Sequence, residues 1–297
     1  MDFSSHSLWQ QIVKTTGQAL KSGALQPIST QLQILSDGEL QFYVRVLDNL
    51  VRKEAAKKSQ KLNPDRVKPN PFLPYEEALC VTHLSDTHVC LLNKFNVVDH
   101  HILMVTREYE SQDSWLTYAD FQAFVHCVME VDGLGFYNGG QQAGASQHHK
   151  HLQLVPFSEE RGMYDLPLAK LIQTQKDRLK DSKHLNILPF HHGIQLLEHR
   201  WIQEAALDIT NDLFKTYQQL MTVTGISLDQ PKPPVPYNLL LTREWMMIVP
   251  RSQESYQDIG VNSLGYSGWL LVKTVEELKK LEEIGPLNLL KQVGKPL

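Results

Sequence analysis

Between Asn138 and Gln153 the chain reads Asn-Gly-Gly-Gln-Gln-Ala-Gly-Ala-Ser-Gln-His-His-Lys-His-Leu-Gln, a loop of small residues running straight into a polar, histidine-bearing segment. Small residues from Gly139 to Ala145 let backbone N–H groups come close to an anion, and such a nest binds phosphate without net charge. His149, His151, Gln153 and Val155, stopped by Pro156, recur at the two-residue period of a strand, so both histidines and the glutamine share one face. Imidazole is a nucleophile at neutral pH, and a neighbouring carboxamide can donate to a phosphoryl oxygen. The segment therefore suits attack on phosphorus by a histidine. On spacing alone, the same residues would also serve as metal ligands or as packing side chains. His148 points to the opposite face from His149 and His151 and is read as a surface or packing residue.

Elements able to hold this segment are legible on both sides of it. Leu8, Trp9, Ile12, Val13, Thr16 and Leu20 recur at helical spacing before Gly23, which predicts an amphipathic helix with a glycine cap. Leu40, Phe42, Val44 and Val46 alternate as in a half-buried strand. Three apolar runs, Ala78 to Leu84, His88 to Leu92 and His101 to Thr106, follow one another closely and predict an antiparallel meander. Thr117 with Asp120 predicts a capped helix ending near Gly133, and strand resumes from Gly135 to Asn138. Further helices are predicted around Leu168 to Leu179 and Leu207 to Met221, strands at Tyr237 to Leu241 and Trp245 to Val249, and a final helix capped by Thr274 before Gly285 and Pro286.

The chain has 297 residues, 42% apolar and 21% charged, and a net charge of −4. That composition excludes a disordered, collagenous or coiled-coil protein, and the charge disfavours a bulk nucleic-acid binder. Any phosphate-rich ligand must be met by local positive charge. Residues 50 to 74 supply one such concentration, with Arg52, Lys53, Lys57, Lys58, Lys61, Arg66 and Lys68 against Glu54 and Asp65. Three cysteines, Cys80, Cys90 and Cys127, are too few and too irregular for a disulfide framework and fit a reducing cytoplasm. Neither an export signal nor a membrane-spanning run is expected.

Taken with its flanks, the motif resembles the branch of the histidine-triad superfamily that ends His-x-His-x-Gln, the ATP adenylyltransferases, also called diadenosine tetraphosphate phosphorylases. The resemblance is carried by Leu92 to Val98, His101 to Thr106, Asn138 to Gln153, Tyr237 to Met247, Val249 to Ser252 and Asn262 to Gly268. It implies an α+β fold with a mixed, largely antiparallel sheet, packed helices and a C-terminal lobe that closes over a nucleotide. We divide the chain into a catalytic region, 1–165, and a region completing the nucleotide site, 166–297. The candidate boundary zone runs from the polar stretch after Phe157 to the prolines at 231, 233, 234 and 236.

The implied reaction is diadenosine tetraphosphate plus phosphate giving ATP and ADP, reversibly, through an adenylylated histidine. His151 would be the nucleophile, His149 would orient it, and Gln153 would stand where hydrolases of the superfamily carry a third histidine. Asn93, Lys94, Asn138, Gly144, Ala145, Ser146, Gln147 and Gln153 would form the nucleotide and phosphate site, completed by Asn262, Ser263, Leu264, Trp269 and Lys273. Lys53 resembles a phosphate-contacting lysine of the family. The Cys-x-x-Cys zinc pair of related sugar-phosphate uridylyltransferases is absent, so no structural metal and no tightly bound cofactor is expected, only magnesium carried in with the nucleotide. The expected partners are small molecules, diadenosine tetraphosphate, ATP, ADP and phosphate, with neither nucleic acid nor membrane. Two rival readings are a metal-dependent dinucleoside polyphosphate hydrolase and a nonenzymatic nucleotide sensor. Against the first, adjacent strand residues such as His148 and His149 cannot aim at one ion without a bulge.

Overall fold

Ser7 opens the first helix, α1 (Leu8–Ser22), by accepting from the Gln10 amide at 3.3 Å while the Gln10 side chain accepts from the Ser7 amide at 3.2 Å. Two backbone donors beyond the reach of any helical carbonyl are thereby satisfied, and Gly23, at φ 75°, closes the helix in the left-handed conformation. The computed structural model describes residues 7–47, 70–157, 166–198, 201 and 203–297. Lys53 and most of the basic stretch 50–74 lie outside the described residues. The following elements are β1 (Thr30–Asp37), β2 (Leu40–Leu47), β3 (Cys80–His83), β4 (His88–Leu92), β5 (Ile102–Thr106), α2 (Tyr118–Glu130), β6 (Gly133–Gly139) and β7 (His151–Pro156). The C-terminal part adds α3 (Pro167–Thr174), α4 (Lys176–Asp181), β8 (Gly193–Leu196), α5 (Ala206–Val223), β9 (Tyr237–Leu241) and β10 (Trp245–Pro250). It ends with β11 (Ser255–Tyr256), β12 (Ile259–Gly260), α6 (Ser263–Ser267), β13 (Trp269–Val272), α7 (Val275–Ile284) and α8 (Pro286–Val293).

Eight strands form one antiparallel sheet in the order β3-β4-β5-β7-β6-β9-β10-β8. A separate sheet, β1-β2-β13, contains the parallel pair β2·β13. The predicted mixed, largely antiparallel α+β architecture is therefore the one observed. Strands of the two halves are not segregated: β6 pairs with β9, with Asn138 opposite Asn238, so the large sheet runs without interruption from the N-terminal half into the C-terminal half. On one face of that sheet Leu152 and Leu154 join a core with α1, α2 and α5. On the other, Phe136, Val155 and Leu240 pack with β2, α3 and the last helices.

Most predicted elements are present, with instructive differences. The run from Ala78 begins as a turn of 3₁₀ helix at 77–79, so β3 starts only at Cys80. The helix expected through Leu179 is interrupted at Gln175, which separates α3 from α4. Pro286, read as a terminator, instead starts α8, because a proline in the first helical turn lacks only an N–H that would have no partner there. β1 is not among the predicted elements, although Leu32 and Ile34 alternate there with Gln31 and Gln33; neither of its faces is buried.

Candidate active site

β7 lies inside the large sheet, between β5 and β6, and its register sets Val105 and Leu103 opposite His151 and Gln153. His151 and Gln153 face a cavity of about 810 Å³, and both are buried. The His151 ring donates from Nδ1 to the backbone carbonyl of its own neighbour-but-one, His149, at 2.8 Å. That bond fixes the tautomer and leaves Nε2, with its lone pair, as the nitrogen available to a ligand. Burial holds the ring well below the usual imidazole range, at about 4, so it is neutral and nucleophilic at physiological pH. The Phe72 ring covers it at 5.3 Å between centroids.

His149 is thus an orienting residue through its backbone carbonyl rather than through its ring. Its imidazole lies within 2.8 Å of the Thr106 carbonyl and 3.0 Å of the Thr106 hydroxyl through Nε2, and within 3.0 Å of Asn70 through Nδ1. It precedes β7 in an isolated bridge to Ser111, where the strict strand alternation assumed from the sequence has not begun. His148 is exposed. The His149 ring is drawn to Thr106 and Asn70 while the His151 ring is tied to the His149 carbonyl, so the two rings are not held toward one ion. Among the described residues no group of three or more His, Cys, Asp or Glu side chains is placed to hold a metal.

The glycine-rich loop works differently from the predicted nest. The amides of Gly140, Ala143, Gly144 and Ala145 bond to carbonyls within residues 138–141, closing a tight turn and leaving those four donors engaged. What small size provides here is approach: Gly144 has φ +88°, and a Cβ there would sit 2.7 Å from the Val261 carbonyl and 2.8 Å from Asn262 Cα. The C-terminal segment 261–264 is thereby laid directly against the loop. A side-chain amide locked by its oxygen also faces the cavity. Asn138 Oδ1 accepts from Asn238 Nδ2 at 2.9 Å, Ser263 N at 2.9 Å and Ser263 Oγ at 2.7 Å, which leaves its Nδ2 for the cavity. Asn238 Oδ1 in turn accepts from the buried guanidinium of Arg251 at 2.7 Å. Arginine can only donate, so the order of donors and acceptors along Arg251, Asn238 and Asn138 admits a single orientation.

Of the residues proposed from the sequence, Asn93, Lys94, Asn138, Gly144, Ser146, Gln147, His151, Gln153, Asn262, Leu264, Trp269 and Lys273 line this cavity. Ala145 and Ser263 are not among its lining residues; Ser263 is wholly buried behind Asn138 and orients it. Lys94 is paired with Glu76 at 2.5 Å, and both residues line the cavity. Among the described lining residues Arg45, Lys94 and Lys273 are balanced in number by Glu76, Glu254 and Glu277. Arg45, on β2, was not anticipated. Nor was Gln112, which accepts from His151 N at 2.8 Å and donates to the Asn138 carbonyl at 2.8 Å, tying loop to strand. Behind β7, Lys150 is fully buried between Asp120 at 2.8 Å and the half-exposed Glu110 at 2.9 Å. Burial alone would raise the Asp120 carboxyl, but the His88 bond and the Lys150 charge hold it below its usual value. No local pattern marks these residues, since each partner comes from a different element.

Residues 1–174 match the family described as Ap4A phosphorylase N-terminal domain, and residues 186–296 match the ATP adenylyltransferase C-terminal domain. Among curated proteins the chain is similar to Diadenosine 5',5'''-P1,P4-tetraphosphate phosphorylase 2 of Saccharomyces cerevisiae, at 29% identity over 89% of this chain and 87% of that one. Among solved structures it is similar to yeast Ap4A phosphorylase Apa2 in complex with AMP, with TM-score 0.76, 28% identity and 97% of each chain covered. It is likewise similar to yeast Apa2 in complex with Ap4A, with TM-score 0.74, 26% identity and 97% of each chain covered.

Proposed function

The chain belongs to the Ap4A phosphorylase family, and on that premise we propose that it cleaves diadenosine tetraphosphate with phosphate to ATP and ADP by two displacements at His151. The observation that carries this reading is the neutral His151 ring, tied at Nδ1 to the His149 carbonyl and presenting Nε2 to a cavity lined by amide donors and cations. In the first step the Nε2 lone pair attacks the α-phosphorus of one adenosine. The bond from that phosphorus to the bridging oxygen breaks, ATP leaves with the electron pair, and AMP remains on the ring as a phosphoramidate. In the second step a phosphate oxygen attacks the same phosphorus, the P–N bond breaks, and ADP departs with the imidazole restored. Reversal of both steps makes the dinucleotide from ATP and ADP.

The surroundings are suited to each demand of that chemistry. Phosphoryl transfer depends on positioning and on donors directed at oxygens where charge accumulates. The Asn138 and Gln153 carboxamides, each held through its oxygen, supply such donors without the stronger desolvation of a buried cation. Trp269, Leu264, Val98 and Ile28 give the same cavity an apolar wall that suits an adenine ring.

A direct test withholds the acceptor. Incubation with diadenosine tetraphosphate and no phosphate, a basic quench and mass analysis should show an AMP adduct on the peptide containing His151. It should be absent in His151→Asn and be discharged to ADP when phosphate is added. Rapid phosphorolysis with no adduct on the millisecond scale would replace the double displacement by direct attack. Nucleotide binding with no turnover would make the protein a sensor.

A further inference from the structure

The Asn93, His101 and Gln153 side chains form a hydrogen-bonded row along one wall of the cavity. Asn93 Nδ2 is 3.1 Å from His101 Nδ1, and His101 Nε2 is 3.0 Å from Gln153 Oε1. His101 stands immediately before β5 and after His100, which is in the left-handed conformation at φ 58°, and the His101 backbone carbonyl accepts from the Asn93 amide at 2.9 Å. The ring is buried, and Phe136 packs against it at 5.8 Å between centroids. It lies 3.0 Å from the Gln153 amide, and among the described residues it belongs to no group of side chains placed to hold a metal.

The direction of this row follows from its outer end. The Phe95 amide, which can only donate, points to Asn93 Oδ1 at 3.4 Å. Asn93 therefore offers Nδ2–H to the ring, His101 Nδ1 accepts, and the ring proton must reside on Nε2. Nε2–H then donates to Gln153 Oε1, and the Gln153 Nε2 hydrogens are turned to the cavity. The opposite tautomer would fail at both ends: the Phe95 amide would lose its acceptor, and Gln153 would present a carbonyl oxygen to anionic phosphates. A charged ring is disfavoured as well, because burial lowers it to about 4.

We infer that His101 is a positioning residue for adenylyl transfer: oriented by Asn93, its neutral ring holds the Gln153 carboxamide with the donor end toward the phosphoryl group being transferred. This rests on the reading of His151 as the nucleophile. The glutamine that stands at the end of the motif is thus only half of a device, and the histidine 52 residues earlier is the other half. A glutamine free to turn over would offer donor and acceptor ends alternately, and only one of them stabilises charge growing on a phosphoryl oxygen.

The test is a double-mutant cycle on the single-turnover rate of His151 adenylylation, with AMP binding and thermal unfolding as controls for folding. Gln153→Ala should slow adenylylation by about a hundred- to a thousandfold. His101→Phe should slow it by about tenfold or more by removing the anchor, with the Michaelis constant nearly unchanged. The double variant should be no slower than Gln153→Ala, because His101 acts only through that amide. Asn93→Leu enters the same row from its half-buried end and should show the same loss of effect in the Gln153→Ala background if His101→Phe fails to fold. In the wild-type protein, the ¹⁵N shifts of the His101 ring should report a proton on Nε2. A proton on Nδ1, or equal penalties for His101→Phe with and without Gln153, would overturn the positioning role. Loss of the His151 adduct from the wild type would instead remove the underlying mechanism.

Discussion

Neutrality of His151 far below the ordinary imidazole range has a kinetic consequence that can be measured directly. Lowering from 6.5 to about 4 corresponds to about 3 kcal/mol disfavouring the imidazolium, from about 1.4 kcal/mol per unit. Burial is the main cause, and the bond to the His149 carbonyl, which would favour the charged ring, only partly offsets it. The half-reaction to follow is adenylylation by diadenosine tetraphosphate without phosphate, since every phosphate of that substrate is bridged on two sides and has no ionisation near neutrality. Its kcat/KM reports ionisations of the free enzyme and should stay level as pH falls from 8 to about 5, then drop with a break near 4. Phe72→Ala removes the ring that lies 5.3 Å from His151 and admits water, so the break should rise by about one unit or more toward 6.5. Histidine-selective NMR titration assigns the break to His151 and separates it from His149, whose ring burial also lowers. A wild-type break near 6.5, or a Phe72→Ala profile superimposable on the wild type, would refute the reasoning. Linkage gives the matching stability profile. Where the folded pKa lies below the unfolded one, the unfolded chain takes up the proton first, so stability is unaffected above about pH 6.5 and falls as pH drops toward about 4. His101 and His192, each also lowered to about 4, act in the same window.

Two structural predictions concern the frame around the nucleophile. Gly144→Ala forces a side chain into φ +88° and against the Val261 carbonyl at 2.7 Å, costing about 1–2 kcal/mol in backbone strain and about 1–3 kcal/mol in displaced packing. AMP affinity measured by calorimetry and the urea midpoint should both fall, and unchanged affinity would show that the loop does not need its contact with segment 261–264. Lys150→Met leaves the buried Asp120 carboxylate without its cation and should cost about 3–5 kcal/mol of stability in urea unfolding. A loss under about 1 kcal/mol would mean that the His88 and Thr117 bonds suffice for Asp120.

How much of this was readable without coordinates depended on whether the determinant was local in the chain. Capping pairs Ser7–Gln10, Thr117–Asp120 and Thr274–Glu277 lie three residues apart, and the apolar runs 88–92 and 237–241 are continuous, so helix starts and central strands could be placed directly. The reacting face of β7 was legible for the same reason, since alternation within six residues puts His151 and Gln153 on one side. The motif resemblance extended this to the family and its α+β fold, and most of the site residues it implied line the cavity.

Tertiary structure decided everything that needed a partner from another element. Small loop residues could signal either free amides or close approach, and only the placement of segment 261–264 against Gly144 shows the second. His149 shared a period with His151, but its ring is drawn off to Thr106 and Asn70, which no spacing records. In the sequence His101 only opens the apolar run to Thr106, and it is the pairing of β5 with β7 that brings it alongside Gln153 across 52 residues. Asn238 and Ser263 fix the orientation of Asn138 from 100 and 125 residues away, and Arg251 orients Asn238 in turn from 13 residues away. Local sequence chooses which atoms can donate or accept, whereas the direction in which an amide or imidazole is held is set by whatever folded neighbour must satisfy its other end.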